Sequence, residues 1–382
     1  MIYLDNAATT WPKPASVAEA VSQAIIEKGG NPGRSGHKLS LEAGNVVERG
    51  RFLLAQLFHI SDPNRIIFTM NATDALNMAI KGVLRPGDHV ITSQMEHNSV
   101  VRPLAYHAQS GAEVTRIKTD PAVGVDLGDL KASIRENTRL VVVTHASNVT
   151  GALNPIVDIA EICREKRVPL LVDASQSAGV IDIDVEETGI DLLAFPGHKG
   201  LLGPAGTGGL YVAPEITLDP FRAGGTGVRS EDALMPDEMP WHLEAGTQNV
   251  PGIAGLSAGV EYILEKGIDS IYKHEMHCIG MLLEGLTAIP GVSLYGPQGT
   301  EKRAAVLSFD VAGIDSADLA MILDTSFNIA VRAGLHCAPD AHRMLGTFAQ
   351  GGTVRVSPGV FTTEDEILQF LEAIRQIAAS LR

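Results

Sequence analysis

Pro169-Leu170-Leu171-Val172-Asp173-Ala174-Ser175-Gln176 is a short apolar run that ends in an acid. Asp191-Leu192-Leu193-Ala194-Phe195-Pro196-Gly197-His198-Lys199-Gly200 is a second, and it delivers a lysine into a glycine-flanked turn. Continuous apolar runs of this length read as strands buried on both faces. The pattern recurs outward from them. Arg65-Ile66-Ile67-Phe68-Thr69 precedes an amphipathic stretch at 73–84, and His89-Val90-Ile91-Thr92 precedes one at 99–110. Leu140-Val141-Val142-Val143-Thr144 precedes one at 155–166, and Gly208-Gly209-Leu210-Tyr211-Val212 closes the series. Strands alternating with helices from about residue 65 to 215 predict an α/β fold with a mostly parallel sheet covered on both faces. Ligands of such sheets gather at the loops after the carboxyl ends of the strands, where nearly every unusual residue of this chain lies.

The character changes near residue 216. Residues 216–252 are rich in Gly, Pro and acids; helices are then expected at 252–266 and 270–288. Strand-like 304–310, a helix at 316–323, strand-like 328–332 and 353–356, and a final helix at 363–381 complete an α+β pattern. With 382 residues, two domains are expected. A formal net charge of −15 argues against a nucleic-acid surface. Three widely spaced cysteines make neither a disulfide framework nor a zinc cluster. No apolar run approaches the length of a membrane span and no signal-like segment opens the chain, so no membrane partner and a cytoplasmic location are expected.

The candidate chemistry starts from the two quoted runs. A lysine amine holds an aldehyde as a Schiff base, and a strand-end carboxylate can hold a pyridinium nitrogen protonated. Lys199 and Asp173 are thus the two groups that pyridoxal 5'-phosphate (PLP) needs as an electron sink. Singly, Lys199 reads as a solvated loop lysine and Asp173 as a helix cap; a buried carboxylate nevertheless needs a partner. Asn71-Ala72-Thr73-Asp74 links a strand to a helix and suits either a phosphate or a simple cap. His97 is either a surface histidine or a ring stacked on a flat cofactor. Asn148 and Gln176 are turn-formers or cofactor ligands. Arg355, in a strand-like run, needs an anion such as a substrate carboxylate. Cys337 lies in Arg332-Ala333-Gly334-Leu335-His336-Cys337-Ala338-Pro339, a loop cysteine beside a histidine, and is either structural or a thiolate. Cys163 and Cys278 fall in helical patterns and read as packing groups. His274, His277 and Cys278 have helical spacing but no flanking ligands, and no metal is expected.

Assembled, these motifs resemble the cysteine desulfurases and selenocysteine lyases, within the class V aminotransferases of fold-type I PLP enzymes. The resemblance runs from Tyr3-Leu4-Asp5-Asn6-Ala7-Ala8-Thr9-Thr10 through Glu96-His97-Asn98, Ser147-Asn148, Asp173 to Gln176, Gly197-His198-Lys199 and Gly246-Thr247-Gln248-Asn249 to Cys337 and Arg355. The Cys337 segment is similar to the short cysteine loop of group II members. The resemblance implies a seven-stranded large domain at 15–252, a small α+β domain at 253–382, and an N-terminal arm at 1–14 lying with the small domain. It implies that Lys199 forms the Schiff base, Asp173 pairs with the pyridine nitrogen, Gln176 with the phenolic oxygen, and His97 stacks on the ring. Ala72, Thr73 and His198 would hold the phosphate, joined by Thr247 of the other subunit of a homodimer. Asn148 and Arg355 would bind the carboxylate of L-cysteine or L-selenocysteine, and Cys337 would take the sulfur as a persulfide before passing it to an acceptor protein, as in iron–sulfur cluster assembly. The rivals are a selenocysteine lyase, another PLP reaction (an aminotransferase, an amino-acid lyase or an epimerase) and a non-catalytic scaffold. Two positions depart from the family: Pro196 stands where relatives commonly carry a phosphate-touching hydroxyl, and Leu335 where many group II members carry a second histidine.

Overall fold

The computed structural model describes residues 1–33 and 36–381. A short strand, β1 (Ile2–Tyr3), and two helices, α1 (Ala15–Glu27) and α2 (Lys38–Leu57), precede the main sheet. That sheet contains β2 (Ile66–Thr69), β3 (His89–Ser93), β4 (Glu113–Ile117), β7 (Thr138–Thr144), β8 (Leu170–Asp173), β9 (Leu192–Pro196) and β10 (Gly208–Val212). A small hairpin, β5 (Thr119–Asp120) with β6 (Gly124–Val125), interrupts the series. The seven strands lie in the order β2-β10-β9-β8-β7-β3-β4. β10 runs antiparallel to both neighbours, and the other neighbouring pairs are parallel.

Both faces of this sheet are covered, which explains why its central strands are apolar throughout. Side chains alternate along a strand. Ile66, Phe68, Val141, Val143, Leu170, Val172, Leu193 and Phe195 enter one core with α2, α6 (Ile156–Lys166) and α8 (Val250–Lys266). That core also takes Leu130 of α5 (Leu127–Ser133) and Val185 of α7 (Val185–Thr188). Ile67, Leu140, Val142, Leu171, Leu192 and Ala194 enter the opposite core with α3 (Ala72–Val83) and α4 (Asn98–Gln109). Asn71 and His97 cap α3 and α4, so these helices begin directly over the strand ends.

The second unit is a four-stranded antiparallel sheet in the order β11 (Val292–Tyr295), β12 (Leu307–Val311), β15 (Thr353–Val356), β14 (Arg332–Gly334). Its core comes from α9 (Ile268–Thr287), α10 (Ser316–Phe327) and α12 (Glu364–Ser380). The short helix α11 (Pro339–Leu345) follows β14. The single strand expected at 328–332 is two. β13 (Ile329–Ala330) pairs in parallel with β1, and after Val331 the chain changes partner so that β14 pairs with β15. The expected boundary between 252 and 253 falls inside α8, whose buried apolar residues join the first core; the second core takes Leu4 from the N-terminal arm and then runs from Met276 in α9 onward.

A buried ion pair pins α2 to the glycine-rich segment before α8. Arg51 Nη1 and Nη2 meet Glu244 Oε1 at 2.9 Å and Oε2 at 2.5 Å, with the Phe68 N–H and Gln248 Nε2 donating to the same carboxylate. Arg51 is 2 % exposed, so removing its partner strands a charge in the core. Glu244→Ala should cost about 3–5 kcal/mol and lower the urea midpoint, whereas a mutation breaking the exposed pair Arg49–Glu261 should cost under about 1 kcal/mol. Equal losses would show that the buried pair does not anchor this segment.

Candidate active site

Five parallel strands end on one edge, and the loop after each contributes to a single cavity of about 210 Å³. The loop after β2 brings Asn71, Ala72 and Thr73; that after β3 brings His97 and Ser99. Asn148 follows β7, Asp173 and Gln176 close β8, and His198 and Lys199 follow β9. From the second unit come Arg332, His336, Cys337 and Arg355. Ten of the residues read from the sequence thus line one cleft. Thr247 does not; within its own chain it lines a separate cavity of about 350 Å³ with Arg222, Gln248 and Asn249.

Asp173 is 2 % exposed. Its Oδ1 accepts from the N–H and hydroxyl of Ser175, while Oδ2 has no partner among the described residues. A carboxylate oxygen left over in a cleft, on a residue with so little access to water, calls for a donor. Lys199 has its pKa pulled down to about 8, chiefly by burial and then by the Arg355 charge, with Asp173 opposing. Near neutrality a useful share of this amine is therefore unprotonated and nucleophilic, which an ordinary lysine is not.

His97 is held by its own helix start. Its Nδ1 accepts the Ser99 N–H at 3.0 Å, which places the proton of the neutral ring on Nε2, and the Ser99 hydroxyl lies 2.9 Å away. Burial is the main cause holding its pKa down, with Lys199, Arg332 and Arg102 adding to it and Asp173 opposing. The Ser99 hydroxyl is also 2.7 Å from that of Thr73, joining the starts of α3 and α4. His198 is pushed down to about 4 by burial and by Lys199 and Lys13.

Arg355 is 1 % exposed. Its Nη1 donates to the Asn148 carbonyl at 3.0 Å and its Nη2 to Asp5 at 2.9 Å, while its buried Nε has no partner among the described residues. The Cys337 loop is anchored from both sides. Asn148 Nδ2 donates to the His336 carbonyl at 2.6 Å, and the Asn98 N–H to the Cys337 carbonyl at 2.8 Å. His336 and Cys337 both adopt left-handed φ values, 49° and 60°. Such a pair is costly for side chains with a Cβ, and the anchored carbonyls hold it in place. The result is an exposed thiol beside a charged cleft.

Several contributors were not read from the sequence. Arg332 Nη2 lies 3.8 Å from Cys337 Sγ; the signal available was an arginine opening the cysteine segment. Asp5 reaches Arg355, and Thr9, Thr10 and Lys13 converge on the His198 carbonyl at 2.7–3.2 Å. Gln176 Nε2 donates to the Ala7 carbonyl. The His274–Cys278 stretch is occupied locally: His277 pairs with Glu364 at 2.9 Å, and Cys278 is buried.

The family model for class-V aminotransferases matches residues 2–370. The chain belongs to the class-V aminotransferase family. A probable cysteine desulfurase of Methanothermobacter thermautotrophicus is 37 % identical, covering 99 % of this chain and 94 % of its own. Among solved structures, the cysteine desulfurase of Thermococcus onnurineus superposes with a TM-score of 0.92 at 33 % identity, covering 99 % of this chain and 95 % of that one. The Escherichia coli cysteine desulfurase CsdA gives 0.87 at 29 % identity, covering 99 % and 94 %. Within the family, the α/β architecture of this chain is that of cysteine desulfurases. No helix among the described residues is long and apolar enough to cross a membrane.

The depressed Lys199 pKa has a direct consequence in the cofactor-free protein. Reductive methylation by formaldehyde, mapped by mass spectrometry, should label Lys199 and Lys13, both near 8, ahead of exposed lysines. Labelling should fall away as pH drops below about 8. Uniform labelling of all lysines would contradict this.

Proposed function

We propose that this class-V protein is a PLP-dependent cysteine desulfurase that converts L-cysteine to L-alanine and carries the sulfur on Cys337. The observation that carries this reading is the exposed thiol of Cys337 at the mouth of the same cleft as Lys199, Asp173 and Arg355. The resemblance to named cysteine desulfurases over nearly the whole chain supports it.

The residues fit PLP. Asp173 Oδ2 offers a spare acceptor in the cleft for a pyridinium N–H, Lys199 an amine with a lowered pKa, and the start of α3 at Ala72 and Thr73 a helix N-terminus for the phosphate. Gly208 packs against the Asn71 backbone, where an added Cβ would lie 2.9 Å from the Asn71 Cα, so this turn is fixed. His97 would stack on the ring, Gln176 would meet the phenolic oxygen, and His198 would add to the phosphate site. Thr247 would reach the phosphate of a partner subunit in a homodimer. When bound, PLP supplies an electron sink for the pair that remains on the substrate Cα after proton loss.

The chain's own groups supply the rest. Arg355, with Asn148 beside it, binds the substrate carboxylate; its Nε and fork suit a bidentate anion, which would compete with Asp5. Lys199, once its amine is free, accepts the Cα proton. The Cys337 thiolate then attacks the substrate sulfur. A sulfur–sulfur bond forms as the Cβ–S bond breaks, carbon keeps that electron pair, and protonation yields alanine. Sulfur is oxidised and carbon reduced in equal measure, so no outside oxidant is needed. Selenocysteine presents the same carboxylate and a weaker bond to carbon, and is the second substrate to test.

Two measurements check this reading. Cys337→Ala should abolish persulfide formation from L-cysteine while the protein still binds PLP; sulfur transfer surviving that change would refute the mechanism. Arg355→Lys keeps the charge but loses the fork, and should raise KM about 10- to 100-fold with a smaller change in kcat. An unchanged KM would remove Arg355 from substrate binding.

A further inference from the structure

Glu96 is fully buried, stands one residue before His97, and has no part in the steps above. Its Oε1 accepts from the Ser93 hydroxyl at 2.5 Å and from the Thr144 N–H at 3.0 Å. Its Oε2 is buried and meets no partner among the described residues. Thr144 is the register partner of Asp173 on the adjacent strand, so two acids converge on one strand end. An ionised Glu96 would therefore be a desolvated charge with a like charge nearby, and both conditions favour its protonated form. Asp173 lies in the cleft with Lys199, whereas Glu96 has no cation partner among the described residues. A full charge on the orphaned Oε2 would be far more costly than an O–H there.

We propose that Glu96 is a positioning residue that works as a neutral carboxylic acid: its proton leaves the negative charge to Asp173, while its Oε1 pins the His97 loop to the end of β7. Burial, with the Asp173 charge adding to it, pushes the Glu96 pKa up to about 8 against the pull of its hydrogen bonds from Ser93 and Thr144. Asp173 on β8 is the charged group acting on it; Ser93 of β3 and Thr144 of β7 contribute only neutral donors. The role assigned to Asp173 rests on the cofactor reading above, but the proton on Glu96 does not.

The folded state binds this proton more tightly than an unfolded glutamate, whose pKa is near 4.5. Its contribution to stability is therefore present below about pH 4.5 and declines as pH rises towards about 8. The test compares the cofactor-free full chain with Glu96→Gln, which keeps shape and acceptor but cannot ionise. The melting temperature of the variant minus that of wild type should climb between about pH 5 and 9. Other titrating groups, Glu275 among them, are common to both proteins and cancel. The infrared difference between the two should show a protonated-carboxyl band at neutral pH that fades through about pH 8. In the PLP-loaded enzyme, Glu96→Ala orphans the Thr144 N–H and should lower kcat/KM about tenfold or more, with Glu96→Gln recovering most of the loss. A flat melting difference, or no protonated band at neutral pH, would show that Glu96 is ionised and overturn the proposal, as would Gln performing no better than Ala. Persulfide transfer surviving Cys337→Ala would sink the desulfurase reading and leave the Glu96 result standing.

Discussion

A charge at the mouth of a doubly covered sheet must be answered by another group, and that requirement organises this molecule. Asp173 ends a strand whose every residue is buried, so water cannot solvate its carboxylate freely. Ser175 satisfies one oxygen, and the other faces the cleft that holds Lys199 on the loop of the neighbouring strand. Burial weakens the proton affinity of the lysine and strengthens that of Glu96. One low-dielectric environment thus produces a nucleophilic amine and a neutral acid within one wall.

The second unit brings the opposite sign of charge. Arg332 and Arg355 sit on paired antiparallel strands, directly opposite in register, and both line the cleft. Asn148 joins the two units twice, accepting from Arg355 through its carbonyl and donating to the His336 carbonyl through its amide. The cysteine is consequently positioned by the large sheet as well as by its own loop. Motion of one unit against the other would have to break these bonds together.

Much of this was legible in the sequence. The central strands announced themselves as apolar runs because both faces are covered, and Lys199, Asp173, Arg355 and Cys337 because their chemistry is costly to place by chance. The edge strands β4 and β11 were missed: Glu-Val-Thr-Arg-Ile and Val-Ser-Leu-Tyr are half solvated and carry polar residues. The strand switch at Val331 left no local mark, since only the pairing of β13 with β1 and of β14 with β15 reveals it. Asp5, Thr10, Lys13 and Arg332 escaped for a related reason. The first three act on groups 185 to 350 residues away, a distance at which no motif spacing operates. Arg332 acts at five residues, but through a turn whose left-handed shape was not written in its residue types.

The ties of the N-terminal arm also set an order of assembly. Asp5 leaves the ribosome 350 residues before Arg355, and β1 waits nearly as long for β13. All seven strands of the large sheet are available by residue 212, yet Arg355 is seated against Asn148 and Asp5 only after nearly all of the chain is available. Long-range closures of this kind are slow steps in folding. A nascent chain therefore completes the strand ends that carry Lys199 and Asp173 well before it has Cys337 and Arg355, so the two walls of one cleft are built at different times.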